Sequence, residues 1–352
     1  MLTVEIYERY LALKAASAGK YVRELASELG ITEAELTQSR VGHDAVRLEY
    51  EDVKLLLAKL EMLGEVKVLT RNEYAVSEVV GNYTNQYLNG YKQMSVSASA
   101  GLVLNPRGLD LRIFYRHWAT AFALEEKVTS GIRYSIQFFD QQGNALHKIY
   151  ATPNTDMGEW NNIVTLFASD YADGVHIVPR PHVNISPIAE ETPAKVDAEW
   201  RQMKDVHDFY MLAHKYQLTR QQIFNCVKDD LAYKVDVGSL ETLLREAKGA
   251  GLELAIFVAN EGCVQITTGV LEKIALQKGW LNIYHKTFCL HILPAYITEC
   301  WVTMKPSEFG CVTSLEVFSA DGTQVLQVYG QRDEHEQERP AWKELIEKLL
   351  RI

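Results

Sequence analysis

The sequence predicts an α+β protein built from two tandem, similar halves, each opening with helices and continuing as a run of antiparallel strands. Two observations carry this. Blocks of sequence recur in one order at nearly constant spacing: Asn72, Glu73, Val76 and Gly81 return as Asn260, Glu261, Val264 and Gly269, each pair 188 apart. Ser135, Phe139, Gly143 and Tyr150 return as Ser314, Phe318, Gly322 and Tyr329, 179 apart, and Leu25, Ala26 and Thr32 match Leu212, Ala213 and Thr219, 187 apart. Ordered matches of this kind point to an internal duplication of about half the chain. Within each copy, apolar residues at helical spacing give way to neighbouring strands rather than to βαβα alternation, the pattern of an antiparallel α+β fold.

Residues 4–62 read as helices, with KYVRELASELG stopping at Gly30 and EDVKLLLAKLEMLG at Gly64; glycine just past the last periodic residue is a helix stop. Strands follow in EVKVLTRNEYAVSEVVG, GLVLNP and LDLRIFY. YSIQFFDQQGNALHKIYA reads as a hairpin turning at Gln142-Gly143-Asn144, and Glu159 to Phe167 as a closing helix. Pro179, Pro181, Pro187 and Pro193, four of the nine prolines, mark a linker. The predicted organisation is a first repeat over 1–175, a linker over 176–195 and a second repeat over 196–352. That second repeat has helices to about 250, strands over 252–330 and the closing helix WKELIEKLL. Between Gly81 and Arg112 lie nine more positions than between Gly269 and His291; the surplus falls around KQMSVSASAG, which reads as a mobile loop.

At 352 residues the chain is long enough for two full cores, and 47% apolar with 23% charged residues is a globular composition. No run approaches the ~18 apolar residues of a membrane span. The first residues, MLTVEIYERYLALKAASAGKY, lack a signal-peptide core, so a cytoplasmic protein is expected. A formal charge of −10 argues against nucleic acid as a main partner. The cysteines, Cys226, Cys263, Cys289, Cys300 and Cys311, are odd in number and lack CxxC spacing, which fits reduced, mostly buried thiols. CxxCH, P-loop and GxGxxG motifs are all missing.

Aligning the copies shows where polar residues diverge: Arg112 stands opposite His291, and Lys20 opposite His207. His207 reads as helical, with Met203, Tyr210, Met211 and His214 on its face. It is either a packed residue or an axial ligand to a flat, apolar cofactor. Arg112 shares a strand face with Phe114, opposite Leu111, Ile113 and Tyr115. It is either an edge residue in water or a distal donor over a metal. Arg220, Lys305, Gln327, Tyr329 and Arg332 are solvated surface groups taken singly; together they could grip carboxylates. Competing constellations are weak: His285 and His291 lie six apart, which fits no helical metal pair and offers no obvious cysteine or carboxylate as a further metal ligand, no GxSxG is present, and Asp229-Asp230 reads as an exposed helix face.

MKDVHDFYMLAHKYQLTRQQIFN, NEGCVQITTGVLEKI, GWLNIYHKTFCLHIL, VTSLEVFSADGTQVLQVYGQR, RNEYAVSEVVGNYTNQYLNG, LVLNPRGLDLRIF and SIQFFDQQGNALHKIYATPNTDM together resemble the HemS/ChuS/HmuS family of cytoplasmic haem-utilisation proteins. The resemblance covers nearly the whole chain. It implies two similar halves, each a large curved antiparallel sheet with flanking helices, and a haem cleft between them. By that resemblance the DxH(D/Q)F histidine falls on His207 as axial iron ligand, and the DLRxF arginine on Arg112, with Phe114 near the haem face. Arg220, Lys305, Gln327, Tyr329 and Arg332 fall on the propionate side. His214 is a candidate relay, and His291 matches a histidine implicated in secondary haem binding. Some relatives carry a histidine after NEYAV, where this chain has Ser77, so a second site built on that histidine is not expected.

The resemblance thus implies non-covalent, b-type haem, degraded to release iron either by an external reductant with oxygen or by a reduced nicotinamide such as NADH. The alternative is a haem chaperone or store that delivers intact haem to a separate oxygenase. Implied partners are haem itself, an inner-membrane haem importer or a haem oxygenase, without nucleic acid or membrane insertion.

Overall fold

The computed structural model describes residues 3–17, 19–49, 52–89, 99–169, 174–180, 188–333 and 336–352. The first half runs α1 (Thr3–Ala16), α2 (Val22–Leu29), α3 (Glu33–Gln38), β1 (Ala45–Leu48), α4 (Val53–Lys59), β2 (Gly64–Arg71), β3 (Ala75–Gly81), β4 (Gln86–Tyr87), β5 (Ala100–Val103), β6 (Asp110–Phe114), β7 (Thr120–Val128), β8 (Gly131–Phe139), β9 (Ala145–Thr155) and α5 (Met157–Phe167). The second runs α6 (Thr192–Arg201), α7 (Asp208–Tyr216), α8 (Arg220–Phe224), β10 (Ala232–Val235), α9 (Ser239–Gly249), β11 (Glu253–Ala259), β12 (Cys263–Val270), β13 (Lys273–Gln277), β14 (Trp280–Tyr284), β15 (Phe288–Ile292), β16 (Ile297–Ser307), β17 (Gly310–Ser319), β18 (Gln324–Gly330) and α10 (Pro340–Glu347). Among the described residues the strands form two large antiparallel sheets of nine strands each. The order β1-β7-β8-β9-β2 in the first half is matched by β10-β16-β17-β18-β11 in the second, and β4-β5-β6 by β13-β14-β15.

The two halves obey one local grammar. Gly30, at φ 70°, closes α2. Thr32 then caps α3, its Oγ1 accepting the Glu35 N–H while Glu35 reaches back to the Thr32 N–H. Thr219 and Gln222 make the same reciprocal box at α8. Such boxes satisfy two of the amides that a helix start leaves open. Gly143 and Gly322, at φ 79° and 80°, turn the β8–β9 and β17–β18 hairpins. Register repeats too: Glu126 pairs with Arg133 across β7–β8, and Lys305 with Val312 across β16–β17.

The chain divides into two compact units, and each includes a short segment from the other half: residues 259–265 belong to the first unit and 72–76 to the second. In the first, Tyr10, Leu25, Ala26, Leu29 and Leu36 pack the helical layer, while Phe122, Leu124 and Phe139 fill the sheet side with Ala34. In the second, Trp200, Phe209, Phe224, Trp301 and Phe318 form an aromatic core under α6, α7 and α8, with centroids 5.0–6.1 Å apart. Each large side chain buried there contributes roughly 1.5–3 kcal/mol.

Several expectations are corrected. β1 and β10 lie inside segments read as helical; each is four residues long, too short for period-two alternation to show. The helix through His207 is broken: α6 ends at Arg201 and α7 begins at Asp208, so Met203 does not share His207's helix. The cause is local, because the Asp208 carboxylate accepts the N–H groups of Lys204 and Asp205, both at 3.0 Å. An aspartate that turns the backbone onto its own side chain competes with helix continuation. Asp229 and Asp230 stand in a turn rather than on a helix, where Asp230 pairs with Arg201. Residues 92–98 of the insertion loop and Pro181 and Pro187 of the linker lie outside the described residues.

Candidate functional site

His207 sits at the N-cap of α7, 49% exposed. Its Nδ1 is 2.5 Å from Asp205 Oδ1, and the same oxygen accepts the His207 backbone N–H at 2.8 Å. With the imidazole neutral, a carboxylate at Nδ1 places the ring proton there and leaves Nε2 with a free lone pair. Nε2 has no hydrogen-bond partner among the described residues. The Asp205 carboxyl is held below the usual range, because the His207 contacts outweigh burial. One turn on, Tyr210 and Met211 are 61% and 65% exposed, and His214 is exposed on the same helix.

Behind this helix lies a buried charge network. Glu316, on β17, accepts hydrogen bonds from Arg220 Nε and Nη2 at 2.8 and 2.7 Å, from Lys305 Nζ at 2.7 Å and from Gln324 Nε2 at 2.7 Å. Burial alone would push its carboxyl up; the two cations more than offset that and hold it at about 2. Arg220 and Lys305 also face the Phe209 ring, 4.4 and 5.2 Å from its centroid. Phe209 therefore ties the start of α7, and with it His207, to the cations. The relay continues from Gln324 to Gln327 at 2.9 Å and from Gln327 to the Tyr329 hydroxyl at 3.0 Å. Burial keeps the Tyr329 phenol protonated, its pKa raised. Read as a solvated cation, Lys305 is corrected: it is buried, donating to Thr303, Ser314 and Glu316, because an ammonium in a sheet interior survives only with partners. Arg220 stays 30% exposed.

Arg332 donates to the Glu336 carbonyl and borders a pocket of about 210 Å³ with Lys204, Asp205, Val206, Ser307, Glu308 and Phe309. That is below the ~300–1,000 Å³ of ordinary ligand cavities, so this pocket by itself does not enclose a tetrapyrrole. His291, on β15 opposite Asn282, has Nδ1 2.6 Å from Asn282 Oδ1.

Arg112 and Phe114 stand in the first unit, on β6, half-buried, while Leu111 and Ile113 are buried on the other face. Tyr115 is already past the strand. Arg112 pairs with Asp110, whose carboxyl burial pushes up against the pull of the guanidinium. The guanidinium is 20% exposed.

A haemin-degrading HemS/ChuX domain model matches residues 30–167 and again 217–349. The haemin transport protein HmuS of Yersinia pestis is 49% identical over 351 residues, covering 99% of this chain and 98% of that protein. The chain belongs to the HemS/ChuX family. Among solved structures, the haem-degrading enzyme ChuS of Escherichia coli O157:H7 is 48% identical at a TM-score of 0.92, covering 99% of this chain and all of that one. Holo-PhuS, a haem-binding protein of Pseudomonas aeruginosa, is 34% identical at 0.93 over both full chains. Haem or haemin handling is thus common to these relatives.

The residues fit that ligand. Among the described residues no group of three or more His, Cys, Asp or Glu is placed to hold a bare metal ion. A single oriented imidazole beside exposed Tyr210 and Met211 suits an iron already carried by a macrocycle. Sequence reasoning missed Asp205, Phe209 and Glu316. The signal for Glu316 was present: a lone carboxylate in the strand VTSLEVFS needs a buried cation. No helix among the described residues is long and apolar enough to cross a membrane.

Proposed function

We propose that this protein binds imported haem in the cytoplasm, with His207 as axial ligand and Arg112 as distal donor, and opens the ring to release iron. The observation that carries the reading is His207 itself: exposed, with Nδ1 held by Asp205 and Nε2 left to bind. Haem, as substrate, supplies the redox chemistry of iron and macrocycle; an external reductant such as NADH would supply electrons, and dioxygen would be the oxidant that ring opening consumes. The chain's residues bind and orient. His207 offers Nε2; Arg220 and Arg332 present charge to the propionates; Gln327 and the Tyr329 hydroxyl extend that side. Lys305 acts through Glu316, keeping Arg220 in place. Arg112 and Phe114 line the distal face, His214 serves as a relay position, and His291 is a candidate for secondary haem binding. Without a CxxCH sequence the haem is held non-covalently, as b-type. Two repeats, over 1–175 and 196–352 with a linker between them, would arise by duplication.

A second reading is a chaperone that takes haem from an inner-membrane importer and hands it intact to a separate oxygenase. The description of one relative as a haemin transport protein favours it. An absorbance time course of the haemin-loaded protein with reductant, with and without oxygen and with catalase present, decides between them. Loss of the Soret band with release of chelatable iron is expected; a stable band under every condition overturns degradation in favour of carriage.

A further inference from the structure

We infer that residues Asn260–Cys263, contributed by the second half, position Arg112 and Phe114 through a carbonyl clamp at Gly262; this rests on the reading of Arg112 as the distal donor. The Gly262 carbonyl accepts two hydrogen bonds, from the Phe114 backbone N–H and from the Trp118 indole Nε1, both at 2.8 Å. Phe114 ends β6, and Trp118 closes the turn that follows by donating its backbone N–H to the Tyr115 carbonyl at 3.0 Å. One oxygen, with both lone pairs used, therefore pins both ends of the turn that terminates the Arg112 strand. On its other side β6 pairs with β5, Leu102 opposite Arg112.

The clamp is itself fixed. Asn260 Oδ1 accepts the N–H groups of Gly262 and Cys263 at 2.9 and 3.0 Å, and its Nδ2 donates to the carbonyls of Arg71 and Leu146 at 2.9 and 2.8 Å. A Cβ at Gly262 would stand 2.4 Å from Leu146 Cδ1, so a side chain here would have to displace the buried Leu146. Trp118 is buried, 4.6 Å from the Phe138 ring centre.

The corresponding segment in the second unit isolates what is special here. Asn72 Oδ1 accepts the Tyr74 and Ala75 N–H groups, its Nδ2 donates to the Val325 carbonyl at 2.9 Å, and the Tyr74 carbonyl accepts the Leu293 N–H at 2.9 Å. Tyr74 and Leu293 are the counterparts of Gly262 and Phe114 at the offsets of 188 and 179, but the counterpart of Trp118 is Ile297, which has no side-chain donor. Among the described residues an indole makes this second bond on the side that carries Arg112, and its counterpart cannot. Misplacing a donor by ~1 Å can cost up to about a hundredfold, which gives such a clamp its value.

Fluoride affinity of the ferric, haem-loaded, full-length protein is the test, because the bound anion reports the distal donor. Iron–histidine stretching frequency, haem affinity and urea midpoint are recorded beside it. Arg112→Ala sets the scale. Trp118→Phe and Asn260→Asp are expected to weaken fluoride by about three- to tenfold in the same direction, with the iron–histidine frequency unchanged. Asn72→Asp, with a comparable loss of urea midpoint, is expected to leave fluoride affinity unchanged. If Arg112→Ala weakens fluoride while Trp118→Phe and Asn260→Asp do not, the clamp is overturned. Equal weakening by Asn72→Asp and Asn260→Asp also overturns it, as a general effect of stability. If Arg112→Ala itself changes nothing, the distal reading fails, and the clamp with it.

Discussion

Two corresponding positions in the two halves carry opposite charge, and a third exchanges a neutral amide for a carboxylate. Glu33, first residue of α3, matches Arg220, first residue of α8; Glu126 on β7 matches Lys305 on β16; Gln137 on β8 matches Glu316 on β17. Both arrangements satisfy their buried charges. In the first half Glu33 takes Lys148 and Arg71, and Glu126 takes Arg40 and Arg133. In the second, one carboxylate is shared between two cations. The difference lies in what faces outward: Glu33 is 5% exposed, whereas Arg220 is 30% exposed and rests on Phe209. An anionic ligand would meet a closed carboxylate on one copy and a guanidinium on the other. Backbone equivalence therefore leaves the difference between the halves to a few side chains.

The comparison can be broken most forcefully at Glu316. Glu316→Ala leaves Arg220 and Lys305 buried without a counter-charge and is expected to cost about 3–5 kcal/mol in urea unfolding; Gln137→Ala, at the matching place, should cost about 1 kcal/mol. Equal costs would mean that the second-half network has no special weight. Acid should show the same linkage. Glu316 and Glu33 both have carboxyls lowered from 4.5 to about 2. Their stabilisation is therefore complete above about 4.5 and lost as pH falls toward 2.

Next in size is the ligand. His207→Ala should weaken haemin binding by about 100-fold, ~3 kcal/mol, and shift the Soret band. Its counterpart Lys20, paired with Glu28, should be silent when changed to Ala. An unchanged spectrum in the first variant would remove His207 from the iron. The smallest expected effect is Asp205→Asn. Losing the charge behind Nδ1 should lower haemin affinity about tenfold and lower the iron–histidine stretching frequency. An unmoved frequency would show that Asp205 only shapes the turn.

Much of this was legible beforehand where the physics is local. The helix stop at Gly30, the hairpin turn at Gly143 and the alternation Leu111-Arg112-Ile113-Phe114 depend on near neighbours in the chain, so sequence spacing reveals them. The resemblance then supplied the haem assignment at His207 and Arg112. What escaped depended on partners far away in sequence. Lys305 read as solvated because its partner Glu316 lies on the next strand; β10 read as helix because only pairing with β16 makes it a strand.

The sequence by itself determined the two-copy plan, the helix-then-strand order and the family, since periodicity and repeated motifs are written along the chain. Tertiary structure decided the rest. It broke the helix at residues 202–207 so that Asp205 could hold His207. It buried Lys305 against Glu316, and it placed Gly262 beside the end of the Arg112 strand. Each of these depends on satisfying a buried or exposed polar group with a partner the folded chain brings close, and no spacing along the sequence encodes that proximity.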